Sequence, residues 1–193
     1  MQLAKRKDSI SIMPVKLSFL DIYQRLPLWA CVGFAARCAR RKTALAGNTL
    51  SEADRATIEA AIEKAEEASR RGGHSISLDS RAVNELARNG CVPAFAAAAA
   101  LSAVAAGGRA GFLASDRKAR SAAVADAAVE LAKAASGEDA YPGSVVSVSE
   151  HVYRDFELLV KSAKSEQWSD DSAIPQHYFA LNTEFEIARS PLT

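Results

Sequence analysis

The chain has 193 residues, with 24 Lys and Arg against 23 Asp and Glu, so its formal net charge is +1. Hydrophobic residues make up 49% and charged residues 24%, a globular balance that excludes an unfolded, highly charged chain. Roughly a fifth of the residues are alanine against 7% aromatics, which excludes a sheet-dominated fold, because alanine favours helix and packs poorly in strands.

Residues 1–17 read as a loose basic lead-in ending near Met13-Pro14, with Lys5, Arg6 and Lys7 but no apolar run that would make a secretory signal. Ser18 is placed to cap a short helix through Leu26, in which Phe19, Ile22, Tyr23 and Leu26 recur at helical spacing. Pro27 opens a second helix to Ala46 on the stripe Leu28, Cys31, Val32, Ala35, Cys38 and Ala39, stopped by Gly47-Asn48. Thr49 and Glu52 have capping-box spacing and open a third helix to Arg71, ended by Gly72-Gly73. Its inner stripe is Ile58, Ala61, Ile62, Ala65 and Ala68, and its outer face carries Glu59, Glu63, Glu66 and Glu67.

A shorter helix is expected over 79–89, closed by Gly90, and Pro93 opens an alanine helix ending at Gly107-Gly108. The apolar run 91–106 spans about 16 residues, short for a bilayer, so a buried helix and no membrane partner are expected. Ser115 or Asp116 caps a further helix to Ser136, with Val124, Ala128, Leu131 and Ala135 inward. After the turn signal Tyr141-Pro142-Gly143, Ser147 and Glu150 form a second capping-box pattern. The helix they open carries the clearest amphipathic stripe, Val148, Val152, Phe156, Leu159, Val160 and Ala163. Beyond Ser165 the periodicity fades, while Trp168, Tyr178, Phe179 and Phe185 are spread among polar residues and prolines.

The pattern predicts an all-α fold: an Ala-rich antiparallel helical bundle of six or seven helices over 18–165, with an irregular C-terminal strap, 166–193, packed on it. Residues 59–69 and 126–136 share six of 11 positions, each after an apolar helix containing Phe-Ala-Ala. Either the core is two similar αα-hairpins, 27–71 and 92–136, or the echo reflects alanine richness, since four of the six identities are alanine.

Sequence signatures for phosphate loops, dinucleotide folds, zinc proteases, CxxC sites and nucleophile elbows are absent, and no histidine has a glutamate three residues before it. The reading therefore names no catalytic residue, no cofactor and no metal. Three cysteines, with Cys31 and Cys38 two helical turns or about 10 Å apart, fit a reduced cytoplasmic protein. Three features carry chemistry. Arg37, Arg40 and Arg41 share a helix face where their guanidinium groups would converge on a phosphate or carboxylate, unless glutamates such as Glu63 and Glu67 pair with them. His151 and Asp155 are an i, i+4 pair off the apolar stripe, read as a surface pair. Cys38 beside the arginines belongs to the apolar stripe and reads as a buried, inert thiol.

Counted by segment, residues 1–47 hold 9 basic and 2 acidic side chains, 48–137 hold 11 of each, and 138–193 hold 4 and 10. The acidic end is expected to fold back on the basic beginning, in a docking that moderate salt weakens. The function expected is a non-enzymatic cytoplasmic protein-interaction or regulatory module with a protein partner. Its contact surface is placed at Arg37, Arg40 and Arg41 or at the tail aromatics Trp168 and Tyr178. The alternative is an anionic ligand or nucleic acid on the same arginine face.

Two stretches carry a resemblance. One is Leu26-Pro27-Leu28-Trp29 leading into Phe34-Ala35-Ala36-Arg37-Cys38-Ala39-Arg40-Arg41. The other is Asp155-Phe156-Glu157-Leu158-Leu159, followed by Trp168-Ser169-Asp170-Asp171-Ser172, Ile174-Pro175 and Tyr178-Phe179. Together they cover under a fifth of the chain and resemble a type of uncharacterised all-α bacterial protein. The resemblance brings no activity or functional residue, and it implies that the tail is integral to the folded unit. This chain departs from the type in lacking a proline- and glycine-rich aromatic ending after Phe179.

Overall fold

The computed structural model describes residues 15–73, 79–108, 124, 128 and 145–180. Ser18 marks the change from strand β1, Val15–Ser18, to helix α1, Phe19–Arg25. Its hydroxyl accepts from the Asp21 amide at 3.1 Å, while the Asp21 carboxylate accepts from the Ser18 amide at 2.8 Å, completing a capping box. The hydroxyl also donates to that carboxylate at 2.6 Å, and this bond is the main cause holding the Asp21 pKa below its ordinary value.

Pro27 leads into α2, Leu28–Ala46, which ends at Gly47 with φ +50 and passes through a 3-10 turn, Gly47–Thr49. Three helices follow: α3, Glu52–Arg70, α4, Arg81–Arg88, and α5, Val92–Gly108. Strand β2, Val145–Val148, precedes α6, Glu150–Ser165, and a second 3-10 turn spans Gln176–Phe179. Val124 and Ala128 are helical and buried. The rest of the helix expected to Ser136, the turn after it, the second half of the hairpin echo and the strap beyond 180 lie outside the described residues.

The described residues form an all-α bundle with one small antiparallel ribbon, in which Val15 pairs with Val148 and Ser18 with Val145. Helix α2 runs through the middle, packing against α3, α5 and α6, while α3 and α4 also pack on α5. All its residues from Leu28 to Ala39 are buried, and many are Ala, Gly or Cys, so neighbouring backbones approach it closely. A Cβ at Gly33 would lie 3.0 Å from the Ser69 hydroxyl and 3.3 Å from the Phe179 ring, where α3 and the strap close on α2. Ser69 donates to the Trp29 carbonyl at 2.6 Å across the same contact. Phe34 of α2 and Phe156 of α6, both fully buried, meet edge-on with ring centroids 5.8 Å apart, a geometry worth about 0.5–1.5 kcal/mol beyond area burial.

Three local expectations are corrected. The lead-in read as loose to residue 17 becomes strand at Val15, and Leu17 is fully buried. Helix α6 is capped by Ser149, whose side chain accepts from the Val152 amide, and Val148 belongs to the ribbon: Val145-Val146-Ser147-Val148 is β-branched enough to extend. Helix α3 is capped by Ser51 on the Asp54 amide at 3.1 Å, because Thr49 is occupied in the 3-10 turn, donating to the Ala46 carbonyl at 2.6 Å.

Candidate functional site

The helical repeat of α2 that buries Phe34 and Cys38 also carries Arg37 and Arg41 inward, since i, i+3, i+4 and i+7 share a face. On α6 the same repeat places Asp155 beside Val152, Phe156 and Leu159. The two faces meet in a clasp. Arg37, only 3% exposed, donates from one terminal nitrogen to the Tyr178 carbonyl and, at 3.0 Å, to that of Ala180. Its other terminal nitrogen donates to one Asp155 oxygen, and Arg41 Nε donates to the other at 2.5 Å. Arg37 Nε is buried without a hydrogen-bond partner. Two buried guanidinium groups thus share one carboxylate.

These contacts change the expected roles. Arg37 and Arg41 are not an open clamp for a ligand: they are turned into the fold and tie it to the strap. Asp155, read as the surface partner of His151, is buried and taken by the arginines. Arg40 alone of the three faces outward, and its Nε donates at 2.7 Å to Glu66, while Glu67 pairs with Arg71. The Glu66 hydrogen bond is the main cause raising the Arg40 pKa. Burial pushes the Cys38 thiol well above its usual range, with Asp155 adding to the effect and the arginines offsetting part of it.

The strap keeps to the bundle by its own aromatics. Trp168 and Tyr178 meet edge-on at 5.3 Å, and both donate to Glu166, from the indole at 3.1 Å and the phenol at 2.9 Å. Asp170 accepts from the Leu28 amide at 2.9 Å, supplying the cap that Pro27 cannot give α2. The Ile174 amide donates to the Ser69 carbonyl at 3.0 Å. Of the two residues read as partner anchors, Tyr178 is buried, while Trp168 is half-buried and its indole bond to Glu166 lies at the surface. Arg25 pairs with Glu157 at 2.9 Å, so the basic beginning and acidic end do meet, largely through buried groups.

Two surfaces stand open among the described residues. Beside the strap lies a groove of about 510 Å³ between α2, α3 and the second 3-10 turn, lined by Arg40, Glu66, Arg70, Gln176, His177 and Phe179. At the other end of α2, three large apolar side chains stand in solvent: Leu45 (73% exposed), Val92 (51%) and Phe95 (60%). They line two further grooves, one of about 510 Å³ with Leu50 and Cys91, the other of about 430 Å³ with Ala87, Ala98 and Ser102. Sequence reasoning missed this surface because α5 is apolar on nearly every side, so no stripe distinguishes inside from outside.

Among the described residues no three His, Cys, Asp or Glu side chains are grouped to hold a metal, and no helix is long and apolar enough to cross a membrane. No family model, curated protein or solved structure matches the chain.

Proposed function

We propose that the protein is a non-enzymatic interaction or regulatory module of the cytoplasm that docks a partner protein on Leu45, Val92 and Phe95. The observation that carries this reading is the clustering of three exposed apolar side chains along two grooves, where the other exposed large apolar residues, Leu20 and Leu158, line neither groove. An amphipathic helix suits such a surface, laying apolar anchors into the grooves between Lys42 on one rim and Arg88 on the other. Three cysteines without disulfides support a reducing compartment.

The test places a photo-crosslinker at position 95 and, separately, at exposed Arg154. A partner captured from position 95 but not from 154, and lost when Leu45→Glu and Val92→Glu are combined in the chain carrying the crosslinker at 95, supports the reading. Equal capture from both positions, or capture by the double variant, rejects it. Circular dichroism confirms that the double variant stays folded, as both residues are exposed.

A further inference from the structure

We propose that the groove beside the strap is a binding site for a phosphate group, held at the end formed by Arg40, Arg70 and His177. This site is separate from the apolar docking surface. Its volume of about 510 Å³ falls in the usual range for small-molecule sites and leaves room for more than a bare phosphate.

The arrangement of Arg40 is the first reason. Glu66 takes only its Nε, at 2.7 Å, which fixes the plane of the guanidinium group. The two terminal nitrogens have no partner among the described residues, so the fork is aimed and unused. Arg70, four residues after Glu66 and one helical turn on, lines the same groove and has no ion pair with any described residue. Opposite them the 3-10 turn brings His177, its ring tilted 41° to that of Tyr178 with centroids 4.0 Å apart, and the Gln176 amide. The groove therefore gathers hydrogen-bond donors from three separate segments, which is how oxyanions are recognised.

Charge supports the same ligand. Arg37 and Arg41 both bond to Asp155 behind Arg40, and the charged side chains that line the groove are Arg40 and Arg70 against Glu66. Glu59 and Glu63 also act on Arg40. They precede Arg70 by 11 and 7 residues, about 16 and 10 Å along the helix axis, so the Arg70 end escapes most of their field. Three of the last four carbonyls of α3 are also satisfied, leaving that of Arg70. Those of Glu67, Ala68 and Ser69 accept from Arg71, Gly72, Gly73 and Ile174. A dianion gains more than a carboxylate from this excess of cations, which favours phosphate over a monoanion.

The experiment titrates the full chain with sodium phosphate, sodium sulfate and sodium acetate, each against sodium chloride of equal ionic strength, and follows the melting temperature and the arginine Nε–H signals. Phosphate should give a saturable rise with a midpoint on the order of 1 mM, moving the Arg40 and Arg70 signals, while acetate gives none at that concentration. Arg70→Ala and Gln176→Glu, both at exposed positions, should each abolish the saturable part; Arg154→Ala on α6 should retain it. No response beyond chloride overturns the proposal. So does an equal response to acetate, no response to sulfate, which is also a tetrahedral dianion, or a phosphate response that survives in both groove variants.

Discussion

Replacing Asp155 by Asn keeps the shape of the side chain and removes the one negative charge that serves Arg37 and Arg41 together. The amide can accept from one guanidinium through its oxygen, but its NH2 group then faces the other, donor against donor. Removing one member of a buried ion pair costs about 3–5 kcal/mol, and because two pairs share this carboxylate the upper part of that range is expected. Native stability for a chain of this kind is about 5–15 kcal/mol, so Asp155→Asn should lose a large share of it. Glu66→Gln is the internal standard: its pair with Arg40 is partly open to water and should contribute at most about 1 kcal/mol. Urea unfolding followed by circular dichroism gives both values, provided the slope is unchanged between variants. If Asp155→Asn lay within about 1 kcal/mol of the wild type, or Glu66→Gln cost as much, the clasp would not hold the fold as argued. Because the clasp is out of water, raising sodium chloride should leave hydrogen exchange at the Ile174 and Tyr178 amides unchanged. An exposed acidic tail on a basic segment would instead loosen.

Gly73→Ala should destabilise the fold beyond the about 1–3 kcal/mol of backbone strain alone, since φ there is +80 and the new Cβ would fall 1.9 Å from the Trp29 ring; the near-ultraviolet dichroism of tryptophan should change with it. In native protein a thiol reagent should modify Cys91 promptly and reach Cys31 and Cys38 only on unfolding, as the latter two are buried and burial raises both their pKa values. Ser18→Ala should cost about 1 kcal/mol through loss of the α1 cap. It should also flatten the acid limb of stability. The folded pKa of Asp21 lies below its unfolded value, so its contribution is present above the unfolded pKa and is lost as pH falls through the folded one. Urea titrations from neutral pH down through the carboxylate range measure both effects.

Local chemistry made much of the bundle legible. Ser18, Pro27, Gly47 and Gly72-Gly73 mark helix ends because each acts through its own backbone or its near neighbours. The ribbon was not legible: β1 and β2 are short, far apart in the chain, and nothing in either segment names its partner. The clasp was half legible. Asp155 stands three residues after Val152 and four before Leu159, and Arg37 and Arg41 keep the same relation to Phe34 and Cys38, so all three lie on inward faces. Charge made them look external, and only contact between α2 and α6 shows that they neutralise one another. Of the open surfaces, Arg40 was identified, while Arg70 and His177 come to it from distant segments and Phe95 is hidden in an apolar helix.

The cap on Leu28 has a bearing on synthesis. The amide of Leu28 is satisfied by a carboxylate 142 residues further along the chain. At about 5–20 residues per second, translation leaves an interval of roughly 6–25 seconds in which the central helix has been made but Asp170 has not. During that interval Arg37 and Arg41 also lack Asp155, and a largely buried helix stands beside the ribosome without the carboxylate that both inner arginines bond. Those charges keep the nascent α2 soluble until α6 and the strap arrive, and a chain halted before residue 155 should retain them exposed and bind polyanions such as ribosomal RNA.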